Sequence, residues 1–411
     1  MATASDTSLT HLLSVYQQEM EAELERALAF WVGHTPDHEH GGFVGQIDNA
    51  GKVNHGAPKG SVLNARILWT FSAAYRHTGK EGYLAMATRA FDYLCTSFLD
   101  PAHGGVFWRV DAQGRPLDTR KQVYALAFTV YGMSEFYLAT QNEKALEISQ
   151  GLFRWIERHS YDPGHGGYLE AFGRAGEPLE DLRLSARDRN DPKTMNTHLH
   201  ILEAYANLYR AWPDPLLAEK LRDLIEVFLD RIVDQKIGHL KLFFARDWAS
   251  TANLISYGHD IEASWLLQEA AEVLGDQELL SRVKETALQM AQATAEALLP
   301  DGSLYHELDM DENHYDKHRE WWVSAEAMVG FLNAYGLTGQ EEFLRHSLNA
   351  WRFAQTYLLD LEGGEWRWGV HDDYSPMDKE DKVGFWKCPY HNARACLEVI
   401  HRCDKVKRTG R

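Results

Sequence analysis

The chain has 411 residues, 45% hydrophobic and 12% aromatic, and a formal net charge of −18. That acidic surplus argues against binding to a phosphate backbone, which needs a basic surface, and favours a soluble protein acting on a neutral ligand. The 13 tryptophans and 18 tyrosines exceed what a plain scaffold uses, and aromatic faces are a common means of holding sugar rings.

The segment Met1 to Thr10 lacks the basic and apolar regions of a signal peptide, and no apolar run approaches the length that spans a bilayer. Cys95, Cys388, Cys396 and Cys403 show neither zinc-ribbon nor CxxC spacing. Reduced thiols and a cytoplasmic location are therefore expected.

A helix is expected at about Leu9–Trp31, followed by the glycine turn His40-Gly41-Gly42-Phe43. Similar turns recur at His103-Gly104-Gly105-Val106 and His165-Gly166-Gly167-Tyr168, with looser copies at Gly238, Gly302 and Gly363-Gly364. Each reads as a short hairpin. Between them lie pairs of helix-period segments: Asn64–His77 with Tyr83–Phe98, Val123–Thr140 with Glu143–His159, and Asn196–Trp212 with Leu217–Val233. Asp260–Leu274 with Glu278–Leu298 and Ser324–Leu337 with Glu341–Leu358 follow, then a final helix at about Tyr390–His401. The period is about 60 residues and the count about twelve helices.

In most pairs one helix is apolar nearly all round and the other amphipathic, the pattern of an inner ring inside an outer ring. The first and last helices supply complementary halves of a sixth pair. The expectation is an all-α, closed (α/α)6 barrel forming a single catalytic domain over residues 1–411. One long irregular insertion, Gly173–Thr194, interrupts the third unit and is read as functional.

The unusual polar and aromatic residues fall near the starts of the core helices: Arg66, Tyr124, Asn196 with His200, His259 with Glu262, Trp322 with Glu326, and Trp386 with His391. In a closed ring of parallel inner helices these positions meet at one mouth. In Gly258-His259-Asp260-Ile261-Glu262, a glycine breaks the chain before a helix that carries histidine and glutamate one turn apart. Taken alone, that pair reads equally well as structural. An arginine among Ile67, Leu68 and Trp69 needs a strong reason, because unpaired buried charge is costly. His198 and His200, two apart, point in different directions; His200 shares a face with Asn196 and is assigned to the pocket, His198 to structure. Trp322 and Trp386 suit either core packing or a sugar platform. A metal is the competing use of the histidines, but an arginine beside a dication is unfavourable, and no metal is expected.

The stretches Asn64-Ala65-Arg66-Ile67-Leu68-Trp69, Asn196-Thr197-His198-Leu199-His200, Gly258–Trp265 and Phe385-Trp386-Lys387-Cys388-Pro389-Tyr390-His391-Asn392 resemble cellobiose 2-epimerases of the N-acylglucosamine 2-epimerase superfamily. The resemblance runs through essentially the whole chain. It implies an (α/α)6 barrel and cofactor-free epimerisation at C2 of the reducing-end glucose of β-1,4-linked disaccharides, cellobiose giving glucosylmannose and lactose giving epilactose. Carried over by position, it implies His259 and His391 as acid/base groups, with His200, Arg66 and Glu262 assisting. The positions implied to contact substrate are Tyr124, Asp188, Asn196, Trp322, Glu326 and Trp386. Ser324 departs from the family pattern, where a glutamine is expected.

Removal and return of the C2 proton on opposite faces suits two imidazoles on different helices. Glu262 would orient His259 or help ring opening, and Arg66 with His200 would stabilise the enediolate. Alternatives are an aldose–ketose isomerase of the mannose isomerase type, an N-acylglucosamine 2-epimerase, and a glycoside hydrolase, which needs two opposed carboxylates. The expected partner is a small carbohydrate, with no nucleic acid and no membrane, the protein being a monomer or weak homo-oligomer.

Overall fold

The computed structural model describes residues 4–186 and 188–409. Among these residues twelve α-helices follow in chain order: α1 (Ala4–His34), α2 (Ser61–Thr78), α3 (Glu81–Tyr93), α4 (Val123–Thr140), α5 (Glu143–His159), α6 (Met195–Ala211), α7 (Pro215–Val227), α8 (Tyr257–Leu274), α9 (Gln277–Glu296), α10 (Trp321–Thr338), α11 (Glu341–Phe353) and α12 (Tyr390–Thr409). The even-numbered helices pack side by side in sequence, and α12 closes the ring on α2. The odd-numbered helices lie outside them, with α1 against α12. This is the (α/α)6 barrel, the first and last helices forming its sixth pair.

Composition decides which ring a helix joins. In α4 every residue from Val123 through Phe136 is buried, so it is wrapped on all sides. In α5 the buried set is Ala145, Leu146, Ser149, Leu152, Phe153, Trp155 and Ile156, essentially one stripe at helical spacing with charges opposite. Each fully buried leucine or phenylalanine contributes roughly 1.5–3 kcal/mol. Indole donors tie the closing pair to its neighbours: Trp366 Nε1 donates to Glu23 at 2.6 Å and Trp351 Nε1 to Glu19 at 2.7 Å.

The hairpins are locked to the inner ring by a repeated buried ion pair. Lys59 meets Asp37 at 2.6 Å, Lys121 meets Asp100 at 3.0 Å, and Lys193 meets Asp162 at 3.1 Å. Each lysine stands two residues ahead of its inner helix, and each aspartate opens a His-Gly-Gly turn. Those turns need glycine: both glycines of each pair have φ between 61° and 77°. At Gly167 a Cβ would also lie 2.3 Å from Trp248 and 2.8 Å from His198.

Several boundaries differ from the sequence reading. Gly258 does not break the chain ahead of α8; it lies inside the first turn of a helix that starts at Tyr257. It is glycine because a Cβ there would sit 2.5 Å from the Trp322 ring and 2.9 Å from Val323 on α10. The starts of α2 and α10 likewise come three residues before the positions that periodicity indicated, at Ser61 and Trp321. The outer helices α3, α7 and α11 each end in a π turn, Leu94–Phe98, Phe228–Ile232 and Ala354–Leu358, rather than continuing as α-helix. No helix among the described residues is long and apolar enough to cross a membrane.

Candidate active site

A cavity of about 1160 Å³ opens at the N-terminal ends of the inner helices. The repeat builds its wall at two recurring places, the second and sixth residues of the inner helices. Those that line the cavity are Tyr124 on α4, Asn196 and His200 on α6, Glu262 on α8, Trp322 on α10 and Arg66, the sixth residue of α2, whereas Phe128, Gly258 and Glu326 hold the same places without lining it. Residues four apart share a face, so both positions point to the axis. Arg66, Tyr124, Asp188, Asn196, His200, His259, Glu262, Trp322, Trp386 and His391 all line the cavity. Glu326, expected to contact substrate, does not line it, and neither does Ser324. Glu326 stands behind His391.

Three histidines meet here, each with Nδ1 tied back. His391 Nδ1 lies 2.6 Å from Glu326 Oε1, and His200 Nδ1 lies 2.6 Å from Glu203 Oε1. His259 Nδ1 lies 2.7 Å from the Ser256 hydroxyl. Glu262 is therefore not the partner of His259; it accepts from Arg394 instead. In each histidine Nε2 has no hydrogen-bond partner among the described residues, the arrangement that general acid–base work requires. Burial pushes His391 down to about 3, against the pull of Glu326. Burial, then the neighbouring His200, His306 and His391, pushes His259 to about 3. Burial and then Arg66 and Arg394 hold His200 well below the ordinary range. The Trp322 ring packs against both His259 and His391, with centroids 4.8 and 5.9 Å away. His198 is structural: it accepts from Tyr168 N at 2.9 Å, and its Nδ1 lies 2.6 Å from the carbonyl of Thr194.

Arg66 is 4% exposed, and no carboxylate pairs with it among the described residues. Its Nη2 donates to the Tyr124 hydroxyl at 2.7 Å, and its guanidinium lies 4.2 Å from the Phe128 ring centroid and 5.0 Å from that of Tyr390. Its Nε has no hydrogen-bond partner among the described residues. A cation held by aromatic faces keeps its charge available to an anion in the cavity.

Sequence reasoning missed Arg394, which organises the floor. This residue, 1% exposed, donates to Glu203 and Glu326, each at 2.7 Å, and to Glu262. Tyr390 donates to the same Glu203 oxygen at 2.7 Å. Burial raises Glu203 to about 7, and burial with the adjacent Glu326 holds Glu262 well above the ordinary carboxylate range. Burial also works against the charge on Glu326, but Arg394 and His391 outweigh it and keep that carboxyl low. Ligand atoms of Glu262, Glu326 and His391 lie within 4.8 Å of one another, close enough to suggest a metal. The Arg394 guanidinium already bonds both carboxylates, so a dication would be set against a fixed positive charge.

The long insertion contributes Leu184, Ser185, Ala186, Asp188 and Arg189 to the wall. Asp188 Oδ2 accepts from Ser185 N at 2.7 Å and shapes that turn. The wall also holds Glu320, which accepts from Trp322 Nε1 at 2.8 Å and Trp368 Nε1 at 3.1 Å, and His306, whose Nδ1 has no hydrogen-bond partner. Neither was singled out in the sequence, because both precede α10, His306 in an irregular segment and Glu320 in the two-residue strand Arg319–Glu320, too short for periodicity to register. Arg394 and Glu203 were findable: each lies one helical turn after a chosen histidine.

Comparison with known proteins matches this architecture. A family model described as N-acylglucosamine 2-epimerase matches residues 41–395. A curated protein named cellobiose 2-epimerase, from Bacteroides fragilis, is 47% identical over 387 residues, covering 94% of this chain and 99% of its own. The solved structure of cellobiose 2-epimerase from Bacillus thermoamylovorans superposes with a TM-score of 0.90 at 42% identity, covering 95% of this chain and 100% of that one. A D-mannose isomerase structure shares the fold at 22% identity and a TM-score of 0.79, covering 93% of this chain and 97% of its own.

Proposed function

The chain belongs to the N-acylglucosamine 2-epimerase family, and we propose that it epimerises C2 of the reducing-end glucose in β-1,4-linked disaccharides, cellobiose above all. It is a carbohydrate epimerase acting on a small sugar. The observation that carries the mechanism is the pair His259 and His391, which enter one cavity from α8 and α12 with Nδ1 secured and Nε2 unpartnered among the described residues, while the choice of disaccharide rests on the relatives.

In this reading the sugar ring opens first: one of the two neutral imidazoles takes the proton of the C1 hydroxyl as the C1–O5 bond breaks, and protonated Glu262 gives its proton to the ring oxygen. Its raised pKa and its place on the wall suit it to carry a proton at neutrality. One imidazole and one imidazolium then face C2. The neutral ring takes the C2 proton on Nε2, and the C–H electron pair moves into the C1–C2 bond to leave a cis-enediolate. Arg66, with Tyr124 and His200, stabilises the oxygen that gains charge. The opposite imidazolium returns its proton to the other face of C2. Charge and protons balance, and no cofactor takes part. Trp322 and Trp386 hold the rings, with Asn196 and Asp188 supplying polar contacts. Residues 1–411 act as one catalytic domain, working in the cytoplasm as a monomer or weak homo-oligomer.

A retaining or inverting hydrolase needs two carboxylates on opposite sides of a glycosidic bond. Glu262 and Glu326 instead converge on the same Arg394 nitrogen. An aldose–ketose isomerase would share the enediolate but deliver the proton to C1. Incubation with cellobiose, lactose and mannose in D2O, followed by NMR of all products, decides among these. Deuterium at C2 of the epimer is the expected result, and EDTA should leave activity intact. Ketose as the main product, or free monosaccharide, would replace this reading.

A further inference from the structure

The three cavity histidines are secured in unequal ways. His391 and His200 each have a carboxylate at Nδ1, whereas His259 has a neutral hydroxyl, that of Ser256. Ser256 is fully buried at the end of strand Leu254–Ser256 and is the N-cap of α8. Serine at that position ordinarily accepts a hydrogen bond from a backbone N–H of the first turn. Here it makes no such bond. The neighbouring inner helix α6 shows the ordinary arrangement, with N-cap Thr194 accepting from Thr197 N at 3.1 Å. At α8 the third helical residue is His259, in the place where a capping box carries glutamate, and its ring reaches back to the cap hydroxyl. The cap has been moved from the backbone to the imidazole.

We propose that Ser256 is the positioning residue of His259: its hydroxyl holds Nδ1 so that Nε2 faces the cavity, and its neutrality makes the two proton-transfer groups unequal. The other titratable groups facing His259 include His200 from α6, Glu326 from α10, His391 from α12, His306 and Glu307 from the segment before α10, Glu170, Arg183, Asp188, Arg189 and Asp191 from the third unit, and Glu262 on its own helix. None of them bonds its Nδ1 among the described residues, so the orientation rests on Ser256. An imidazolium at His391 is supported by a carboxylate and one at His259 is not. Removing the hydroxyl therefore handicaps the steps that use His259 and spares those of His391.

This rests on the two-histidine reading, and the experiment separates the two. Cellobiose and glucosylmannose are each turned over in D2O by the wild type, Ser256→Ala and Ser256→Thr, and deuterium at C2 is measured in product and in unconverted substrate. In Ser256→Ala, kcat is expected to fall about tenfold or more with KM changed less than about twofold. Starting from the epimer whose proton His391 removes, the enediolate waits for a slow His259, so label accumulates in unconverted substrate. From the other epimer it does not. Ser256→Thr, which keeps the hydroxyl, restores the wild-type partition. If Ser256→Ala does not fold, Ser256→Cys, similar in volume but a poor hydrogen-bond partner, carries the same comparison. A rise in label from both epimers alike, or from neither, overturns the assignment of Ser256. Absence of C2 label from wild-type product would instead overturn the two-histidine reading, and the Ser256 assignment with it.

Discussion

Glu326 and His391 come from neighbouring inner helices and meet at 2.6 Å, carboxylate to Nδ1, with the carboxylate out of reach of the cavity. The glutamate thus acts on substrate only through the histidine. Glu326→Gln should lower kcat by about 10²-fold while leaving KM nearly unchanged. Without the anion, the His391 pKa falls further and the acid limb of its proton-transfer step moves to lower pH. A variant that raised KM alone would show direct substrate contact instead.

Replacement of either His259 or His391 by alanine should reduce turnover by about 10²–10⁴-fold with substrate still bound. Binding is checked by calorimetry with cellobiose, and turnover by epimer formation. A nearly fully active His391→Ala would remove that residue from the chemistry.

Arg66 is held by rings and a phenol rather than by an acid, so its removal leaves no carboxylate unpaired. Arg66→Lys should therefore cost turnover, by about 10²–10³-fold, far more than folding stability. Comparing kcat with the urea midpoint of unfolding separates the two effects.

Arg394 is the opposite case. Arg394→Met leaves Glu203, Glu262 and Glu326 buried without their shared cation, and a loss of about 3–5 kcal/mol is expected. The deficit should be larger at pH 8 than at pH 5, because acid neutralises the abandoned carboxylates. Denaturant unfolding at both pH values checks the sign.

Glu170, outside the cavity, is raised to about 8 by burial despite hydrogen bonds from Thr194 N at 2.7 Å and Thr197 Oγ1 at 2.5 Å. A carboxyl with a raised folded pKa contributes stability that is full below its unfolded value near 4.5 and lost as pH rises through about 8. Relative to Glu170→Gln, the wild type should lose roughly 1.4 kcal/mol per pH unit across that window. Parallel stability curves for the two proteins would show that Glu170 ionises normally.

Periodicity located every helix, because an inner helix such as α4 is apolar on all sides and an outer one such as α5 is not. It misplaced the starts of α2, α8 and α10; at α8 the first turn holds Gly258 because Trp322 and Val323 on α10 leave no room for a Cβ, and at α10 it holds Trp321, packed on Trp368. The cavity residues were legible because the repeat puts them at matching positions. The partners of those residues were harder. Arg394, Glu203 and Ser256 each lie three residues from a chosen histidine and follow from helical geometry alone. That Glu326 belongs to His391, 65 residues on, and that Glu262 belongs to Arg394, 132 residues on, depends on which helices face each other across the ring. Neighbouring residues in one helix, such as His259 and Glu262, are natural partners on paper but need not be partners in space.

The place of Arg394 also bears on how the barrel assembles. Glu203, Glu262 and Glu326 arrive on α6, α8 and α10, and the one cation that binds all three arrives on α12 with His391 and Tyr390. Without the last helix those three acids lack that cation, and burying them means either the desolvation cost of charge or protonation. The last helix supplies that cation and carries His391 to the cavity on the same segment. Charge balance thus ties closure of the ring to the arrival of His391 at the cavity.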